Sequence, residues 1–144
     1  MVDRRTIVIA GFGTLLLRPA AATPESMKAA IDAFTGGKAP ADGRVTIEIA
    51  SLIDNGNAVP VTLRVASPMT EGDHVKQIAF FNERNPNTEI AVFHLGPRAG
   101  KAAVSTRVRL ATSQKLTAIA RMNDGSLWQQ SVDVIVALAA CIEG

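Results

Sequence analysis

"VPVTLRV", residues 59–65, decides what kind of fold this chain adopts. Val59, Val61, Leu63 and Val65 occupy alternate positions, with Thr62 and Arg64 between them. A strand points successive side chains to opposite faces, so this period of two makes one apolar and one solvated face. A helix would scatter the same residues around its surface. The pattern recurs on both sides. Val45, Ile47 and Ile49 alternate with Thr46 and Glu48, and Val104, Val108 and Leu110 with Ser105, Arg107 and Arg109. Trp128, Val132, Val134 and Val136 oppose Gln129, Ser131 and Asp133. Apolar runs at 75–81, 89–95 and 116–122 are weaker strand candidates because their alternation is less regular. Turn-forming clusters fall between these segments, among them Asp42-Gly43, Asp54-Asn55-Gly56-Asn57, Asn85-Pro86-Asn87 and Asn123-Asp124-Gly125. About seven short strands punctuated in this way predict an all-β, immunoglobulin-like antiparallel β-sandwich.

One helix precedes the strands. Thr23 offers an N-cap hydroxyl, Pro24 suits the first helical position, and Glu25 places an acid in the first turn. Met27, Ala30, Ile31 and Phe34 then share one face, and Gly36-Gly37 ends the helix. With 144 residues the chain is a single domain. Aromatics make up only 4%, so Val, Ile, Leu and Ala must build the core.

Residues 1–22 have a different character. Arg4 and Arg5 precede an apolar run over 7–17, and Ala20-Ala21-Ala22 supplies small residues for cleavage, the order of a signal peptide. The apolar run is too short to span a bilayer. The paired arginines and mild apolar segment predict export by the twin-arginine route and a periplasmic location. The expected organisation is thus a signal peptide over 1–22, helix plus sandwich over 23–138, and a tail over 139–144. Arg4, Arg5 and Arg18 against Asp3 account for the whole chain's net charge of +2. The exported part is neutral, which removes the basic footprint a nucleic-acid partner would need.

Few groups could carry chemistry. No phosphate-binding glycine loop and no serine nucleophile motif occurs. His74 and His94 lie twenty residues apart. His74 reads as an exposed turn residue and His94 as a half-buried structural one. A blue-copper centre needs a His and a Met closely following its Cys, whereas only Ile142, Glu143 and Gly144 follow Cys141. No metal or other cofactor is expected. Arg107 and Arg109 share a strand face that is either simply solvated or meets an anion or partner. Asp133 reads as a surface residue.

Cys141 is the single cysteine, so no disulfide can form within the chain. It lies beyond the last strand on a short tail. An odd cysteine in an exported protein is either a reactive or intermolecular thiol, or a stray one at a tolerant terminus.

"IDNGNAVPVTLRVASPM", "FHLGPRAGKAAVSTRVRLA" and "LTAIARMNDGS" resemble stretches of the SoxY sulfur-carrier family, in the same order and with Cys141 at the expected place. The resemblance covers about residues 24–141. It implies a non-enzymatic carrier in thiosulfate oxidation that holds sulfur intermediates covalently on Cys141. It further implies a heterodimer with a SoxZ-like subunit and service by a haem c thiosulfate-conjugating enzyme, a SoxB-type hydrolase and, where present, a sulfur dehydrogenase. The family ending is Gly-Gly-Cys-Gly, whereas this chain reads Ala139-Ala140-Cys141-Ile142-Glu143-Gly144. Two alternatives stand beside the carrier role: a SoxY-like interaction subunit that is never loaded, and an unrelated periplasmic sandwich binding module.

Overall fold

The computed structural model describes residues 22–138. The expected helix, α1, spans Pro24–Thr35. Its cap is reciprocal: the Ser26 amide donates to the Thr23 hydroxyl at 3.1 Å, and the Thr23 amide donates to the Ser26 hydroxyl at 2.6 Å. Gly36, at φ 68°, ends the helix in the left-handed conformation that glycine adopts without steric cost.

Nine strands follow among the described residues: β1 (Ala41–Asp42), β2 (Val45–Glu48), β3 (Leu52–Asn55), β4 (Val59–Val65), β5 (Val75–Asn82), β6 (Glu89–His94), β7 (Ala103–Val108), β8 (Gln114–Met122) and β9 (Leu127–Leu138). The smaller sheet has the order β2-β4-β7. The larger has β1-β9-β8-β5-β6, with β3 also paired to β9. The expected sandwich is present, and β4 buries alternate residues as its sequence requires. It is not purely antiparallel: β1 and β3 both run parallel to β9. Neither strand announces itself. β1 has only two residues, both exposed, and only Ile53 of β3 is buried.

The sheets enclose a core in which Leu63, Ile78, Phe80, Leu110 and Leu116 are fully buried. The opposite face of the larger sheet is covered as well. There Ala79, Phe81, Ile119 and Leu127 pack against Met27, with Ala30, Ile31 and Phe34 of α1 at the margin. Coverage on both faces is why β5 and β8 lack clean alternation. A strand with no solvated side has no position that must be polar. Arg121 fastens the end of α1 to the sheet. Its guanidinium donates to Gln77 Oε1 and to the Phe34 carbonyl, and it lies 4.3 Å from the Phe34 ring centre. A cation beside the last helical carbonyls also complements the negative end of the helix dipole.

β2 is an edge strand, yet one of its free amides is occupied. Ile47 N–H donates to the Gln130 side-chain carbonyl, 2.7 Å away on β9, so the contact ties the two sheets together. Capping an edge donor with a side chain also leaves less backbone open to another strand.

Candidate functional site at the end of β9

β9 is the last described element before Cys141, and it changes character along its length. At its start Leu127 is buried under α1, and Arg44 lies 5.4 Å from the centre of the Trp128 ring. At its end Ile135 and Leu138 are about 60% exposed, as is Leu52, which pairs with Ile135 from β3. These are the exposed large apolar side chains among the described residues.

The backbone at this exposed end is nevertheless held to its last described residue. Ile135 N–H donates to Ser51 O at 2.9 Å and Val136 N–H to Ser113 Oγ at 2.8 Å. Gly56 N–H donates to Leu138 O at 2.9 Å, and Leu110 N–H in turn donates to Gly56 O at 2.8 Å. β9 is thus a fixed base up to Leu138. Cys141 and the 139–144 tail lie outside the described residues, as does most of the proposed signal peptide.

The same end of the sandwich carries a polar network that the sequence reading did not anticipate. Asn82 and Gln114 are buried. The Asn82 amide donates to Asn87 O at 2.6 Å, and its carbonyl accepts from Asn85 N–H at 2.8 Å. Gln114 donates to Asn85 Oδ1 at 2.9 Å, and Asn85 donates to Arg109 O at 2.5 Å. Because each buried amide is partnered, the loop between β5 and β6 is locked to the segment after β7. The available signal was an asparagine directly after the apolar run over 78–81, followed by Asn85-Pro86-Asn87.

Arg107 and Arg109 are exposed, as expected, and both line a cleft beside this network. Asp133 is exposed opposite Lys115. The histidines exchange roles. His94 is exposed at the end of β6, an edge strand of the larger sheet, with Nδ1 3.4 Å from the Gln77 amide. His74 is half-buried, its Nδ1 2.9 Å from Thr70 O. Among the described residues no three His, Cys, Asp or Glu side chains converge as metal ligands, and no helix is long and apolar enough to cross a membrane.

Fold and site together define a helix-backed β-sandwich whose last described strand, β9, precedes the single cysteine, Cys141, by three residues. The SoxY family, described as "Sulfur oxidation protein SoxY", matches residues 31–141. The chain belongs to that family, which includes Cys141 within the match and supports a sulfur-oxidation carrier role. It removes the alternative of an unrelated sandwich module. No curated protein matches the chain. Among solved structures, the superoxide reductase (neelaredoxin) of Ignicoccus hospitalis is similar at 19% identity and TM-score 0.56, covering 80% of this chain and 94% of that one. The superoxide reductase of Nanoarchaeum equitans is similar at 19% identity and TM-score 0.54, covering 62% and 90%. At this identity the likeness is one of fold.

Proposed function

We propose that this protein is an exported, periplasmic sulfur carrier that holds thiosulfate-derived groups covalently on Cys141 and is not itself a catalyst. The single observation that carries the reading is the family match running through Cys141, a thiol three residues beyond the firmly held end of β9. A carrier must present its thiol outside its own body, and the strand that precedes Cys141 in sequence is held as far as Leu138.

The chemistry asks little of the carrier. A thiol and a thiosulfate ion are joined through a new sulfur–sulfur bond with loss of a proton and two electrons, which a haem c enzyme accepts. Water then cleaves the terminal sulfonate as sulfate and leaves a persulfide on the cysteine, the work of a SoxB-type hydrolase. A free cysteine with an ordinary pKa of about 8.5 is mostly protonated at neutral pH, so the partner enzymes must activate it.

The reading includes a SoxZ-like partner subunit and export through the Arg4-Arg5 signal, with the mature chain beginning near Thr23. Folded export of a preformed pair would explain use of the twin-arginine route. A strain carrying Cys141→Ser is expected to stop consuming thiosulfate while the protein still accumulates in the periplasm with its partner. Undiminished consumption would contradict the carrier role and favour an interaction subunit that is never loaded.

A further inference from the structure

We infer that the open edge of β7 is a docking site for an extended, acidic segment of a partner protein, which adds to the smaller sheet as a further strand. The inference does not depend on whether Cys141 is loaded, so its failure and the failure of the carrier reading are separate results.

Among the described residues β7 pairs with β4 alone, from Val59↔Val108 to Arg64↔Ala103 with no break in register. Val65 N–H donates to Ala102 O at 2.9 Å, which sets the phase of the ladder. Bonded and non-bonded positions alternate along an antiparallel pair. Val104, Thr106 and Val108 therefore bond β4, and the backbone groups of Ala103, Ser105 and Arg107 point to the free side. Pro60, which has no amide to donate, stands opposite Arg107, in agreement with that phase. Donors and acceptors at these alternate positions form the template with which an incoming strand pairs.

The other edges are short, blocked or irregular. Ile47 N–H of β2 is occupied by Gln130, β1 and β3 have two and four residues, and the pairing of β6 shifts register between Phe80 and Phe81 of its neighbour. β7 has no proline and no bulge, and no described side chain bonds its outward amides.

Side chains select the occupant. Ser105 and Arg107 lie on the solvated face, and exposed Lys101 and Arg109 flank the strand. Arg64 on β4 is already paired with Glu48 at 2.6 Å, whereas Lys101, Arg107 and Arg109 are in no ion pair among the described residues. Glu89 is the acid that lines a cleft with Arg107 and Arg109, so the cations outnumber it and the edge is positive. Opposite charges directly across a strand pair stabilise it, and like charges destabilise it. The inner side is apolar: Val104, with Ile90 and Phe93 of β6, is half-buried against the core. A segment alternating acidic and apolar residues suits both faces.

The test uses the mature chain, kept reduced so that Cys141 forms no disulfide, and reads amide exchange with solvent by nuclear magnetic resonance. In the isolated protein the amides of Ala103, Ser105 and Arg107 are expected to exchange faster than those of Val104, Thr106 and Val108. The probe is a short synthetic peptide alternating glutamate and valine, with a lysine–valine peptide as control. At about ten times its dissociation constant the glutamate peptide should slow the three outward amides about tenfold, and the lysine peptide should not. Ser105→Pro removes the central outward donor without costing a bond to β4 and should abolish the effect. Ser105→Ala, which loses only the hydroxyl contact to Thr62 Oγ1 at 2.8 Å, should keep it. Arg107→Glu leaves every backbone group in place and should weaken the glutamate peptide about fivefold, which decides the matter even if the proline variant does not fold. Outward amides already slow in the isolated protein, or slowed only as its own concentration rises, overturn the proposal in favour of cover by this chain or by a second copy. Equal action of both peptides overturns the acidic occupant, and no action by either overturns the edge as a docking site.

Discussion

The two ends of β9 solve opposite problems with one strand. Near Leu127 the strand lies beneath α1 and beside the Arg44–Trp128 stack, covered on both faces. Near Leu138 its neighbours are the short β3 and two loops, and it leaves Ile135 and Leu138 in solvent. The difference teaches that anchoring and presentation are separated along a single element. Packing under α1 holds the first end, and the second is held largely by hydrogen bonds from Ile135, Val136 and Leu138 to the neighbouring loops. A carrier needs that separation, because its working group must leave the body without loosening it.

The largest effect is expected where α1 covers the sheet. Phe81 is fully buried and meets the Phe34 ring edge-on at 6.0 Å. Phe81→Ala should destabilise the protein by about 3–5 kcal/mol, read as a lowered denaturant midpoint. A loss below about 1 kcal/mol would mean that the helix does not cover this face.

Next comes the start of that covering helix. Thr23→Ala removes the capping hydroxyl and should cost about 1 kcal/mol, with serine at the same position restoring most of it. An unchanged midpoint would show that α1 is fixed by its apolar face alone.

A smaller effect is expected at the turn leading into the anchored end. Asp124 accepts from Ser126 Oγ at 2.6 Å and Ser126 N–H at 2.8 Å, and these bonds hold its carboxyl below the usual carboxylate range. A carboxylate lowered on folding stabilises above its unfolded value and loses that contribution as pH falls through the folded one. Stability should therefore dip more at acid pH in the native protein than in Asp124→Asn. Parallel acid profiles for the two would contradict this. The group is fully exposed, so the difference will be slight.

At the presenting end the expected effect is the smallest of all. Ile135→Ser should change stability by no more than about 0.5 kcal/mol, because the side chain already lies in water. A loss like that of Phe81→Ala would place Ile135 under cover and erase the contrast between the two ends.

How much of this was legible depended on whether each residue advertises its surroundings. β4 could be read directly because one face meets core and the other water, and α1 because Thr23, Pro24 and Gly36 mark its ends. β5 and β8 were blurred for the reason that makes them central: the helix on one face and the second sheet on the other removed the polar positions. β1 and β3 were invisible, since a short strand pairing mainly through its backbone leaves almost no side-chain pattern. The burial of Gln114 was equally hidden, because an amide looks the same in sequence whether it caps a loop or faces water, and Asn82 was marked only by its place directly after an apolar run. The exposure of His94 depended on β6 lying at a sheet edge, and strand order is set by pairings distant in sequence. Cys141 stood out because it is single and terminal, and the family match reaches it.

The most direct test of the account is the intact mass of the mature protein taken from cells actively oxidising thiosulfate, measured before and after reductant. Mass added by thiosulfate-derived sulfur, mapped to Cys141, removed by reductant and absent from Cys141→Ser, is the predicted result. A protein that remains at its unmodified mass while the same cells consume thiosulfate would contradict the claim that the end of β9 presents a working carrier thiol.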